Sequence, residues 1–218
     1  MNLFRLDASI FADNSRSRAL ADLAEAEFVA AHPGATVTRR HVGTNPIPAE
    51  YWAAAVTAGH TPEDQRSDLQ KAAVALATEI ADELIAADAI VWAVPLYNFG
   101  PSQHVKAYID LAVTDPRLAA GAPLVLEGKP TVLATVRGGA YGEGTPRAGW
   151  DHSTPYLQRI LADAWGTDLR TVEQEFTLVG VNPALDEFKE LAAEFKTAAE
   201  AKASEHGKAL AVAVAVTA

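Results

Sequence analysis

The chain has 218 residues, 49% of them hydrophobic and 21% charged, which suits one water-facing domain spanning residues 1–218 with a real core. A formal net charge of −10 argues against a nucleic-acid partner, though not against one phosphate held at a helix N-terminus. There is no cysteine, which removes disulfides, thiolate metal sites and a cysteine nucleophile together.

In chain order, Asn2 to Ala8 reads as a first strand, followed by a hydroxyl-rich loop from Ser9 to Ser17 and a helix from about Arg18 to Ala31. Strand, polar loop, helix is where a doubly wound protein holds phosphate, because the first helical turn leaves backbone donors free. Ser15 or Ser17 can cap the helix, and Arg16 and Arg18 add positive charge; a solvated loop with a serine cap fits the same residues. The glycine-rich Walker pattern is absent, so this is no nucleoside-triphosphate loop. Pro33-Gly34 marks a turn, and residues 35–42 alternate as a more exposed strand suited to an edge. After the Asn45–Pro48 loop, Tyr51 to His60 is expected as a short helix with Tyr51 and Trp52 packed inward. Thr61 then caps, and Pro62 opens, a long helix to about Ala87.

Ala89 to Val94 is an apolar run of the kind buried on both faces of a parallel sheet. It is expected to break at Pro95 into a loop with an amide and two rings, Leu96-Tyr97-Asn98-Phe99, before a helix opened by Pro101 and running to Val113. Tyr97 and Phe99 are either walls for a flat ligand or caps on the core. Residues 129–136 form another buried strand, ending in Arg137-Gly138-Gly139-Ala140-Tyr141. Adjacent glycines there allow close backbone approach and leave amides free, or simply make a turn, and Arg137 is a solvated charge beside it. Asp151-His152 opens the next helix as polar start residues, Asp168 to Thr177 is the last strand, and Asn182-Pro183 starts a C-terminal helix to about Lys208. The apolar tail 209–216 is either a docked helix end or a disordered terminus. Five strands alternating with helices give a doubly wound α/β sheet of order 2-1-3-4-5, with the serine loop and both later loops on its C-terminal edge.

The run Pro95-x-Tyr97-Asn98-Phe99, then Pro101 and Lys106-x-Tyr108-Ile109-Asp110, resembles the FMN-dependent NADH:azoreductase and quinone reductase family, which is flavodoxin-like. The resemblance implies FMN, with NADH or NADPH as donor and a quinone or azo compound as acceptor in a ping-pong two-electron exchange. It places the phosphate at Ser9, Ser15, Arg16 and Ser17, and the ring along Pro95, Leu96, Tyr97, Asn98 and Phe99. The second flavin loop falls on Arg137, Gly138, Gly139 and Tyr141. A homodimer with an active site completed by both chains is implied as well. The cofactor carries the redox chemistry, so no dedicated acid or base is demanded; solvent or Tyr141 protonates the product.

Two departures stand out. Val136 occupies the position of the family's usual Ser before the Arg-Gly-Gly run, so that hydroxyl is missing, or Thr135 or the backbone takes its place. The family's aromatic flap, beginning Gly-x-Thr-Phe, is replaced by Thr114-Asp115-Pro116-Arg117, which implies a preference for quinones over bulky azo dyes unless Trp52 or Trp150 of a partner chain supplies the ring. No histidine pair has metal-site spacing and no Gly-x-Ser-x-Gly elbow occurs. With no signal-peptide pattern and no membrane-length apolar run, a cytoplasmic location is expected. A two-electron reductase is thus weighed against a one-electron carrier or a flavin binder without turnover.

Overall fold

The computed structural model describes residues 1–11 and 13–217, with side chains as far as Ala215. Its sheet runs β2 (Thr36–His41), β1 (Asn2–Asp7), β3 (Ala89–Tyr97), β5 (Pro130–Val136), β6 (Asp168–Gln174), all parallel. A two-residue strand, β4 (Gly100–Pro101), turns back antiparallel on the end of β3. With β4 set aside, this is the expected order 2-1-3-4-5 of a flavodoxin-like α/β sheet.

Helices cover both faces. Trp92, Phe4, Leu6 and Leu133 point to one side, against Ile80 and Leu84 of α3 (Asp68–Ala86) and Tyr108 of α4 (Gln103–Ala112). Leu3, Val91, Val132 and Ala134 point to the other, against Leu20 and Phe28 of α1 (Arg16–Ala31) and Leu210 and Val214 of α6 (Lys189–Thr217). Period-two alternation along the strands divides these residues between two cores. β2 is the polar, mostly exposed edge.

Several boundaries differ from the sequence expectation. The long helix does not start at Thr61-Pro62: Glu63–Gln65 is a separate 3-10 turn, and α3 begins at Asp68. Ser67 and Gln70 form a capping box, with Ser67 Oγ accepting from the Gln70 N–H at 3.2 Å and Gln70 Oε1 from the Ser67 N–H at 2.9 Å. Thr61 is spent elsewhere, donating its hydroxyl to the Thr57 carbonyl at 2.9 Å. Pro101 lies in β4, and α4 is capped instead by Ser102, whose Oγ accepts from Val105 N–H. In α2 (Tyr51–Ala58), Tyr51 packs on the core but Trp52 is 51% exposed.

Further along, α5 (Thr154–Gln158) continues as one π-helical turn, Arg159–Ala164. β6 stops at Gln174 because Phe176, at φ +56, leaves extended geometry. Its ring stacks on Phe188 and Phe195. Pro183–Phe188 is a 3-10 turn before α6, which runs past Lys208, so the apolar tail is a docked helix end. A Cβ on Gly207 would lie 2.5 Å from the Ala24 carbonyl oxygen, so this mid-helix glycine lets α6 lie directly on α1. Among the described residues no helix is long and apolar enough to cross a membrane.

Candidate active site

The C-terminal ends of β1, β3 and β5 meet around one groove. At the end of β1, the chain leaving β2 passes so close that a Cβ on Gly43 would sit 2.0 Å from the Ser9 carbonyl oxygen. Ser9 is buried; its Oγ accepts from the Phe11 N–H at 3.1 Å and lies 3.2 Å from the Tyr97 hydroxyl, which ties the serine loop to the end of β3. Ser15 is the cap of α1, accepting from the Arg18 N–H at 3.2 Å, and its Oγ is 3.2 Å from that of Ser17. Both serines are buried, while Arg16 is exposed. Ala12, within the expected phosphate loop, lies outside the described residues.

A cavity of about 500 Å³ opens here, lined by Ser9, Asn14, Ser15, Arg16, Pro95 and Thr177. Ser17 sits behind Ser15 and is not part of the lining. Val136 borders this cavity, but Thr135, fully buried, does not, so Thr135 makes no replacement for the missing serine. Thr177 also lines the cavity, its hydroxyl donating to the Arg137 carbonyl at 3.0 Å.

Pro95 does not end β3, which continues to Tyr97 and reverses into β4 through Asn98 (φ 47) and Phe99 (φ 67). Two consecutive left-handed residues make the turn that matches the twist of a hairpin. Asn tolerates that conformation, whereas a bulky Phe is rare there. Phe99 is held from outside: its carbonyl accepts from the His152 N–H at 2.8 Å, and its ring centroid is 5.5 Å from Trp150 and 6.4 Å from Tyr141. Phe99 stays 39% exposed and lines a cavity edge rather than capping the core, with Trp150, 50% exposed, packed beside it. That cavity, about 770 Å³, shares Phe11, Leu96, Tyr97, Gly138 and Leu178 with the serine cavity, making one continuous groove.

Arg137 is not the solvated charge the sequence suggested. It is 8% exposed, its guanidinium at 2.7 Å from Asp151, 2.8 Å from Glu173, 3.5 Å from Glu175 and 3.2 Å from Thr154 Oγ1. Glu173 in β6 and Glu175 just past its end lie 36 and 38 positions downstream, and Asp151 closes the loop that Arg137 opens. Burial alone would raise the Asp151 pKa. The Thr154 backbone N–H and hydroxyl, together with Arg137, outweigh it and hold the carboxyl below its ordinary value. Asp151 also accepts from the Ser153 and Thr154 N–H groups at 2.8 and 2.9 Å, the helix-start role expected of it.

Glu175 accepts from the Tyr141 N–H at 2.7 Å and so fixes the ring that faces Phe99. The Gly138 and Gly139 carbonyls accept from Leu178 and Phe176, while their own N–H groups meet no acceptor among the described residues. What approaches Gly138 is Leu178: a Cβ there would stand 2.6 Å from Leu178 Cδ1. Phe11, Leu178 and Glu175 are not distinguished by the sequence: Phe11 is an apolar residue within the serine loop, and Glu175 and Leu178 come from a distant segment. Residues 114–128, which stand where the family carries its flap, line no part of the groove; Arg117 there pairs with Asp115 and Asp82.

Comparison with known proteins agrees with this architecture. A family described by its flavodoxin-like fold matches residues 1–203. The chain is 38% identical over 204 residues to the FMN-dependent NADH:quinone oxidoreductase of Frankia casuarinae, covering 93% of this chain and 96% of that protein. It is 33% identical over 210 residues to the protein of the same name from Streptomyces avermitilis, covering 96% of each. Among solved structures, an azoreductase of Bacillus anthracis superposes with a TM-score of 0.74 at 23% identity, covering 95% of this chain and 98% of that one. An FMN-dependent NADH-azoreductase from the same species, solved in complex with FMN, also gives 0.74, at 17% identity and with 95% and 100% covered. At those identities the two structures speak for the fold alone.

Proposed function

The chain belongs to the flavodoxin-like family of the FMN-dependent NADH:quinone oxidoreductases, and from that membership we propose that it reduces quinones with NADH through FMN lying in the groove. The observation that carries the reading is the meeting of three separate loops on one groove with a hydroxyl-rich helix start at one end and aromatic walls at the other. The residues fit the cofactor. The α1 N-terminus, with Ser9, Ser15 backed by Ser17, and the Arg16 charge, suits a phosphate. The Gly138 and Gly139 N–H groups, which meet no acceptor among the described residues, suit the polar edge of a flavin ring. FMN, when bound, takes two electrons and a proton from NADH and passes them to the acceptor.

The chain's own residues do the rest. Pro95 to Phe99 would hold the ring, and the strained Asn98-Phe99 turn sets the Phe99 ring against Tyr141 and Trp150. Arg137 acts from behind, holding the loop that carries Tyr141 through Asp151 and Glu175. Because donor and acceptor enter the same aromatic lobe, they bind in turn, which gives ping-pong order. Extraction of the purified protein tests the cofactor directly: released FMN at one per chain is expected, and a colourless protein that takes up no FMN contradicts it.

The finer reading is a cytoplasmic homodimer. α4 turns its apolar residues into its own core, so it offers no free apolar face for pairing. Trp52 and Val56 of α2, both exposed, are the better candidates for the pairing surface. Sedimentation as a fully active monomer at micromolar concentration would refute the dimer. Quinones are expected to outperform sulfonated azo dyes in kcat/KM at fixed NADH, since no flap ring is available to stack on a large dye. Equal values would remove that claim.

A further inference from the structure

Arg147 lies in the aromatic lobe of the groove, and the function already proposed does not use it. The sequence gives it no distinction, since it sits in an unremarkable Thr-Pro-Arg-Ala run. Its guanidinium carbon is 5.8 Å from the centroid of the Tyr141 ring, and its Nη1 is 3.5 Å from where a Cβ on Gly139 would be. The charge is thus held over the aromatic wall and against bare backbone, a placement that suits a guanidinium and orients its donors.

In a chain of net charge −10, most arginines are matched with carboxylates: Arg5, Arg39, Arg40, Arg117, Arg137, Arg159 and Arg170 all form ion pairs. Arg147 makes no such pair among the described residues, and nor does Arg16. These two line opposite ends of the same groove. Arg16 belongs to the end with the serines and the helix N-terminus. Arg147 stands at the other end, beyond the aromatic rings, so its anion is not the one held at the serines.

We propose that Arg147 forms an anion subsite of the aromatic lobe, binding a phosphate, sulfonate or carboxylate carried by the reactant that lies against the Phe99 and Tyr141 wall. This rests on the oxidoreductase reading. Two sources share that chemistry: the pyrophosphate of the dinucleotide donor, and an acidic substituent on the acceptor. Arg147 is exposed, so water screens the contact and its effect is modest, about fivefold in affinity.

The test compares R147Q with the native holoenzyme using paired reactants that differ in charge. One pair is a naphthoquinone sulfonate against the uncharged naphthoquinone; the other is NADH against benzyl-dihydronicotinamide, which lacks phosphate. A fall of about fivefold in the charged-to-uncharged ratio of kcat/KM within a pair supports the subsite and identifies its source. Loss of wall packing would slow both members of a pair alike, so unchanged ratios overturn the proposal. A redox-inert probe, anthracene sulfonate, is titrated into both proteins as well. Weaker binding to R147Q supports the subsite, and equal binding refutes it. Native protein that binds the sulfonate yet oxidises no NADH would instead defeat the functional reading and leave the subsite standing.

Discussion

Ser15 has two duties, and they can be separated. It caps α1 through the Arg18 N–H and stands with Ser17 at the end of the groove proposed for the phosphate. Replacing both by Ala removes the Ser15 hydrogen bond to a charged group, worth about 1.5–3 kcal/mol, and the Ser17 hydroxyl that supports it, so FMN affinity should fall at least about tenfold. Losing the cap also costs about 1 kcal/mol of stability. Ser17→Ala alone should weaken FMN binding less, through the lost support of Ser15, and without the cap penalty. Titration of apoprotein with FMN, beside a thermal melt, checks both; unchanged affinity in the double variant would remove this loop from the phosphate site.

Two glycines make a second test at this scale. Gly43→Ala would drive a Cβ to 2.0 Å from the Ser9 carbonyl oxygen, which is backbone and cannot step aside. Gly138→Ala meets only the tip of Leu178, a side chain 44% exposed and free to swing outward. Urea unfolding should show a loss above about 3 kcal/mol for the first and under about 1 kcal/mol for the second. Similar losses would mean that the approach of Leu178 to Gly138 is as rigid as that of Ser9 to Gly43.

At the scale of elements, the loop from Arg137 to Asp151 is closed at its base by a buried ion pair and carries Tyr141, Arg147 and Trp150. The Asp151 pKa is depressed in the folded state, so its contribution is fully present above the unfolded value of about 4 and is lost as pH falls through the folded value. Asp151→Asn should cost about 1–3 kcal/mol at neutral pH, since Glu173 and Glu175 still face Arg137. Its stability should then vary less with pH than that of the native protein below about pH 4. An acid limb of unchanged steepness in the variant would show that other carboxylates set it.

The strands were legible because Val91 to Val94 and Val132 to Val136 are runs that only burial on both faces explains, and alternation marked β2 as an edge. The β3–β4 hairpin was not legible. Proline at 95 and 101 reads locally as a break and a helix start, while Phe99 in a left-handed turn contradicts its own preference and is held by His152, Trp150 and Tyr141. At the start of α3, two capping signals competed within a short span, and the reciprocal Ser67–Gln70 box prevailed over Thr61-Pro62. The serine loop and the glycine pair could be found as polar turns at strand ends. The burial of Arg137 could not, because its partners come from β6 and the far end of its loop.

For the whole molecule, the sheet order brings the β1, β3 and β5 loops to one edge, in a chain whose overall charge is negative. A groove with aromatic walls, two arginines that pair with no carboxylate among the described residues and room beside the ring suits small reactants arriving in turn. A one-electron carrier would need a protein partner to deliver electrons, and this difference is measurable. Purified protein with bound FMN is mixed with NADH and a benzoquinone, with no second protein present, and NADH oxidation is followed. The expected result is sustained turnover consuming one NADH per quinone, with parallel double-reciprocal lines as the quinone concentration is varied. Protein that binds FMN but oxidises no NADH until a separate reductase is added would contradict the assignment.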